Sequence, residues 1–181
     1  MSSDQPDSTD QQSADQQSAD QQSAAQQGGG EDGAKVVTAT REIAAPAATL
    51  FELVADPARQ PEWDGNDNLA EVVRGERVRA VGDVFSMLLT NDKVRDNHVV
   101  DFTEGRVIAW RPASEGQDPA GHEWRWEIEP IDATRSRVTH TYDWRELTDE
   151  ARMAKAASTT AENLRASLDR LAEVAEVAET G

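Results

Sequence analysis

Cysteine is absent from this 181-residue chain. Disulfides, thiolate metal sites and cysteine nucleophiles are therefore excluded. Lysine is scarce: Lys35, Lys93 and Lys155 stand against fifteen arginines. No apolar run approaches the roughly 20 residues needed to span a bilayer, so membrane insertion is not expected. The start of the chain has neither the basic residues nor the apolar stretch of a secretory signal, and the cytoplasm is the expected location. No Gly-x-Ser-x-Gly elbow, Gly-x-Gly-x-x-Gly turn or Walker loop occurs, so neither a serine-hydrolase site nor a nucleotide cofactor is indicated. Helical His-x-x-x-His spacing is also missing, and no cofactor or metal is expected.

The first 34 residues contain three copies of Asp-Gln-Gln-Ser-Ala, from Asp10 to Ala24, and the run Gly28-Gly29-Gly30. They hold no aromatic residue and almost nothing apolar larger than alanine. Such a segment buries too little surface to offset its ordering entropy. A five-residue period is too short for a solenoid unit. Residues 1–34 are thus expected to be a disordered, low-complexity acidic tail, and residues 35–181 a single domain of ordinary size.

The formal net charge is -17. Seven acids and no base lie in the tail, which leaves 28 acids against 18 bases, a formal -10, for the rest. A domain of this sign repels phosphate backbones and anionic lipid surfaces, so nucleic acid is not an expected partner.

What the chain does have is a legible order of elements. A strand is expected from Val36 to Ile43, and a helix opens at Pro46, where a missing N–H costs nothing. Leu50, Phe51, Leu53 and Val54 give that helix an apolar side. Asp56-Pro57 stops it, because the residue before proline avoids helical backbone. A short second turn runs from Pro57 to Trp63, followed by the polar loop Asp64-Gly65-Asn66-Asp67-Asn68. Six further strands are expected: Leu69 to Arg74, Asp83 to Leu89, Val94 to Phe102, Arg106 to Arg111, His122 to Glu129 and Ser136 to Trp144. The clearest alternation is Trp124, Trp126 and Ile128 against Glu123, Arg125, Glu127 and Glu129, with one face buried and one wet. Val138, His140, Tyr142 and Trp144 share a face in the same way. Thr148 and Asp149 can start a short helix. Thr159 with Glu162 three residues on reads as a capping box opening the last helix. Its apolar stripe is Leu164, Leu168, Leu171, Ala175 and Ala178, with Val174 beside it.

One long helix cannot cover so many strands from both sides. The economical architecture is α+β: a single antiparallel sheet curled around the last helix, with a cavity between them suited to a small apolar ligand. Strand, helix, Asp-Pro…Trp, six strands and a final helix resembles the START-like, or Bet v 1-like, superfamily with its helix-grip fold. The bacterial members labelled polyketide cyclase/dehydrase, or SRPBCC proteins, are most alike. The stretches that carry the likeness are Ile43 to Ala47, Asp56 to Arg59, Val81 to Phe85, Asp96 to Val100, Arg106 to Trp110, Trp124 to Pro130 and Arg137 to Trp144. The resemblance covers about Val36 to Ala178. It implies a curved seven-stranded antiparallel sheet wrapped around a long C-terminal helix, with two short helices after the first strand. It also implies a deep cavity for hydrophobic or aromatic small molecules. Members of the superfamily include lipid carriers, aromatases and co-chaperones, so fold alone does not fix chemistry.

The residues expected to line the cavity are Phe85, His98, Val100, Trp110, Trp124, Trp126, His140, Tyr142 and Trp144. Trp63 is expected to pack the corner between the two short helices. His140 reads either as a core histidine bonded to a neighbour or as a polar fixture in the cavity beside Tyr142. Asp96 and His98, two residues apart and in series with Val100 and Phe102, read as a proton-moving pair on the cavity wall. Alternatively, Asp96 stands at a strand end open to water. His98 and His140 lie on strands separated by two others, about 14 Å apart at normal strand spacing, too far to share a metal. Three functions are compatible with these residues. The first is a carrier or binder of a small hydrophobic molecule. The second is a cyclase/aromatase-type enzyme with His98, His140, Tyr142 and Asp96 as acid-base groups. The third is a co-chaperone-like interaction module using the outer face of the sheet. The helix stripe is used inside the domain, so a monomer is expected.

Overall fold

A computed structural model of the chain describes residues 34–181. Apart from Ala34, the expected tail lies outside the described residues. The elements follow the order β1 (Val36–Ile43), α1 (Ala47–Ala55), a 3-10 turn (Pro57–Arg59), α2 (Gln60–Trp63), β2 (Leu69–Arg74), β3 (Val84–Leu89), β4 (Val94–Thr103), β5 (Val107–Ser114), β6 (Glu123–Pro130), β7 (Ser136–Asp143), α3 (Glu150–Ala157) and α4 (Ala161–Thr180). The main surprise in the boundaries is β5, which runs three residues past Arg111. Its continuation through Pro112 is carried by pairing with β4, opposite Asn97.

Seven strands form one antiparallel sheet in the order β1-β7-β6-β5-β4-β3-β2. Sequential hairpins build it from β2 to β7, and β1 returns to pair with β7. The α1–α2 segment therefore spans the distance between the two edges. Pro46 caps α1 in extended backbone, and Leu50, Phe51, Leu53, Val54 and Ala55 are buried. Asp56 ends it, and its side chain accepts from the Ala58 N–H at 3.0 Å. Trp63 donates its indole N–H to the Leu53 carbonyl at 2.7 Å, fastening α2 to α1 at the expected corner.

The polar loop after α2 holds α4 in place. Asp64 accepts backbone N–H bonds from Asn66, Asn68 and Leu69. Gly65 then passes so close to α4 that a Cβ there would lie 2.2 Å from the Ala166 carbonyl carbon. Its N–H donates to Ser167 Oγ at 3.1 Å, and Asn66 Nδ2 donates to the Asn163 carbonyl at 2.9 Å.

Helix α4 supplies the inner surface of the grip. Leu164, Ser167, Leu168, Leu171, Ala172 and Ala175 are buried. Each leucine contributes about 1.5–3 kcal/mol by leaving water. Two expectations about this helix are corrected. Its capping box is Thr160 with Asn163, not Thr159 with Glu162. Thr159 is still bonded to the preceding helix, its hydroxyl donating to the Lys155 carbonyl. Ala178 is exposed, because the stripe leaves the sheet a turn before the helix ends.

The register fixes which residues face α4. Directly opposed residues in an antiparallel pair share a face. On the inner face, Val37, Tyr142, Trp124, Trp110 and Val99 form one cross-strand row, and Ala39, His140, Trp126, Ile108 and Phe102 form the next. Strand β4 departs from the expected orientation. Arg95, Asn97 and Val99 face inward, whereas Asp96 and His98 face outward, opposite Ser86 and Val84. A register shift between Val99 and Asp101 then turns Phe102 back to the inner face. Val99 is 2% exposed and Val100 38%. The apolar series Asp96, His98, Val100, Phe102 therefore does not line one wall; a bulge splits it.

Candidate functional site

The inner face of the sheet is a belt of stacked rings. Trp126 lies on His140 with ring centroids 3.7 Å apart and planes 16° apart. Trp124 stacks on Tyr142 at 4.2 Å. Trp63 meets Trp126 edge-on at 4.9 Å, and Phe85 meets Trp110 edge-on at 5.4 Å. Period-two alternation in β6 and β7 puts these rings on one side, and the in-register pairs Trp124–Tyr142 and Trp126–His140 put them in contact. Trp144 lies buried just past β7, in a second cluster with Tyr142, Leu147, Ala156 and Leu164.

This apolar layer contains polar atoms without partners. Both His140 nitrogens and the Trp126 and Trp144 indole N–H groups are buried and make no hydrogen bond. An unsatisfied buried polar group costs about 1–3 kcal/mol. His140 is thus not the bonded core histidine considered from the sequence. Burial pushes its pKa down to about 3, and pushes the Tyr142 hydroxyl up to about 12 against the opposing effect of the Arg152 charge. Both side chains are uncharged at neutral pH.

Of the expected site residues, Phe85, Trp110, Trp124, Trp126, His140, Tyr142 and Trp144 converge on this layer. Asp96, His98 and Val100 lie across the sheet from it. Asp96 is covered but shallow. It accepts from Ser86 Oγ at 2.6 Å and from the Gly116 N–H at 2.9 Å, and faces Arg74 at 3.1 Å. The Gly116 N–H and the Ser86 hydroxyl, more than Arg74, hold its carboxyl below the usual range. Asp96 and His98 consequently cannot share an internal pocket with His140 and Tyr142. The enzyme hypothesis loses half of its acid-base set on this ground.

Four inner-face residues escaped the sequence reading. Arg95 and Ser114 stand opposite each other at the β4–β5 end. Arg152 reaches in from α3 and donates to Ser114 Oγ at 2.6 Å. His122 precedes β6, its ring 6.0 Å from that of Tyr142, with Nδ1 buried and unpartnered. Burial first, then the Arg152 and Arg95 charges, hold His122 down to about 4. His122 could have been found by extending the Trp124, Trp126, Ile128 series two residues back. The others carry no such signal.

Two shallow concavities are found among the described residues, the second touching Phe85. One, of about 440 Å³, is on the outer face, lined by residues that include Arg106, Glu127, Glu129, Arg137 and Thr139. The other, of about 320 Å³, follows the connection from β2 to β3. The deep open cavity implied by the resemblance corresponds to neither. On the inner face, the rings of β6 and β7 lie stacked on one another.

A curved antiparallel sheet gripping one long helix, with an aromatic inner face, places the protein in the helix-grip class. Residues 34–176 match the model of the family described as polyketide cyclase / dehydrase and lipid transport. The chain belongs to that family. It is 37% identical over 110 residues to protein Rv0088 of Mycobacterium tuberculosis, a match covering 60% of this chain and 47% of that protein. The matched region thus spans about half the length of that relative. Among solved structures, protein Ms6760 of Mycobacterium smegmatis is similar with a TM-score of 0.59 at 16% identity, covering 81% of this chain and 92% of the other. Norcoclaurine synthase from Thalictrum flavum, solved with a transition-state analogue, gives a TM-score of 0.53 at 11% identity, with coverages of 80% and 95%. At these identities the structural likeness concerns the fold alone. No helix among the described residues is long and apolar enough to cross a membrane.

Proposed function

We propose that the protein binds a small hydrophobic or aromatic molecule between the inner face of its sheet and α4, as a carrier or binding protein. The observation that carries this reading is the set of unpartnered polar atoms, His140 Nδ1 and Nε2 with Trp126 Nε1, in the middle of an aromatic layer. A core selected for stability alone would replace such groups with apolar ones. A ligand with one or two polar atoms on a flat apolar body would satisfy them and lie against the tryptophan faces. Its entry requires the stacked rings to part. Membership of a family described by polyketide and lipid chemistry supports the same class of ligand. The low pKa of His140 and the high pKa of Tyr142 make them polar fixtures and not a proton-exchanging pair poised near neutrality.

The test is native mass spectrometry of the full chain, followed by denaturing extraction. A defined extra mass that disappears on denaturation, and is lost in Trp126→Ala, is the expected result. A clean apo mass, together with no change in tryptophan emission against a panel of apolar aromatic compounds, overturns the reading.

A further inference from the structure

We propose that the bound molecule is an apolar acid, whose carboxylate Arg95 and Arg152 hold at the α3 end of the grip. The inference rests on the ligand-binding reading above and names the chemical class of that ligand.

Arg95 faces inward from β4, directly opposite Ser114 of β5. Ser114 Oγ accepts from Arg152 Nη2 at 2.6 Å, so the residue in register with Arg95 is the one that anchors Arg152. Their charges reach each other: burial, and then the Arg152 charge, hold the Arg95 pKa below its ordinary value. Arg152 also pairs with Asp149 at 3.2 Å. Arg95 Nη1 donates to the Val94 carbonyl at 3.2 Å. Many of the other arginines are paired with one or two acids. Arg111 meets Glu123 and Glu146, Arg125 meets Asp101, Arg137 meets Glu42 and Glu129, and Arg77 meets Glu52 and Glu104. Arg152 has Asp149 as its partner, whereas among the described residues Arg95 has no carboxylate within salt-bridge distance, so one of the two charges here lacks an anion.

The surroundings fit a carboxylate with an apolar body. His122 lies beside the pair, with a buried and unpartnered Nδ1. Tyr142 follows, and behind it the Trp124 stack leads to His140 and Trp126. An anion at the arginines would direct the rest of its molecule along those rings. Guanidinium and carboxylate match in planar, bidentate geometry. A charge-assisted bond contributes enough for about a tenfold change in affinity for each arginine removed.

Calorimetric titration of the full chain with two matched pairs tests this: octanoate against octanol, and 2-naphthoate against 2-naphthalenemethanol. In at least one pair the acid should bind tenfold or more tightly. Arg95→Gln and Arg152→Gln should each remove most of that preference while leaving the alcohol's affinity in place, and Arg137→Gln on the outer face should retain it. Equal binding of acid and alcohol overturns the anion site and leaves the apolar-ligand reading standing. Binding of neither member of either pair overturns both. Should the glutamine variants fail to fold, the His122 resonance in the unaltered protein decides. Its apparent pKa should rise when octanoate is added and stay fixed with octanol. A His122 pKa that octanoate leaves unmoved overturns the proposal.

Discussion

The two faces of this sheet are made by the same seven strands, yet they treat polar groups in opposite ways. On the outer face, threonines pair across strands, Thr38 with Thr141 and Thr40 with Thr139. Arg125 bridges to Asp101, Arg111 to Glu123, and Asp96 is satisfied by Ser86 and Gly116. His98 Nε2 is an exception there, buried without a partner. On the inner face, polar atoms of His140, Trp126 and His122 go unpaired, and Arg95 stands in register with Ser114, the acceptor of Arg152. A face turned to water can complete its hydrogen bonds with solvent. A face turned to a helix can complete them only with protein or with something bound. The contrast is what the proposed ligand site on the inner face rests on.

The largest effect expected from breaking the contrast is that of Trp126→Ala. Removing a fully buried indole between Trp63 and His140 should cost about 3–5 kcal/mol, read as a lower midpoint in urea unfolding. A cost near that of a surface substitution would mean that the inner layer is loosely packed.

Next comes the outer face. Asp96→Ala strands the Ser86 hydroxyl and the Gly116 N–H and should cost about 2 kcal/mol, with ligand affinity unchanged. A strong loss of binding in this variant would contradict the separation of the two faces.

A smaller effect of opposite sign should follow from His140→Phe. Phenylalanine keeps the stack on Trp126 and removes two unsatisfied nitrogens, so the unliganded protein should gain about 1 kcal/mol in thermal or urea unfolding and lose affinity. The pH dependence sharpens the test. The folded pKa of His140, about 3, lies below the ordinary histidine value of 6.5. The unfolded chain therefore takes up a proton that the folded chain refuses. The contribution is complete above about pH 6.5 and is lost as pH falls from there toward 3. His140→Phe should flatten that part of the stability profile, and an unchanged slope would show that His140 is protonated within the fold.

The smallest effect belongs to Arg125→Gln, which removes a bridge to Asp101 on a partly exposed face. A change of at most about 1 kcal/mol, shrinking in salt, is expected. A larger loss would show that the outer face is less solvated than its partners imply.

The sequence made most of the architecture legible, and the legibility differs from strand to strand. In β6 and β7 apolar and polar residues alternate cleanly, and Trp124, Trp126, His140 and Tyr142 face inward as expected. In β4 both faces carry polar residues: Arg95 and Asn97 on one, Asp96 and His98 on the other. Alternation there has no sign. Phe102 does face inward, but it says nothing of Asp96, His98 and Val100, because the register shift between Val99 and Asp101 intervenes. The cap of α4 slipped by one residue for a local reason, since Thr159 remains bonded to α3.

By itself, then, the sequence determined the order of elements, the single antiparallel sheet, the closing helix and an aromatic inner face, because each follows from hydrophobic period and turn chemistry within a few residues. Tertiary structure decided the rest. Pairing with β5 chose the face of β4, and the approach of α3 brought Arg152 to Ser114 across 38 positions of chain. The pairing of β6 with β7 stacked Trp124 on Tyr142 and Trp126 on His140. Such contacts join residues far apart in sequence, and no local pattern encodes them.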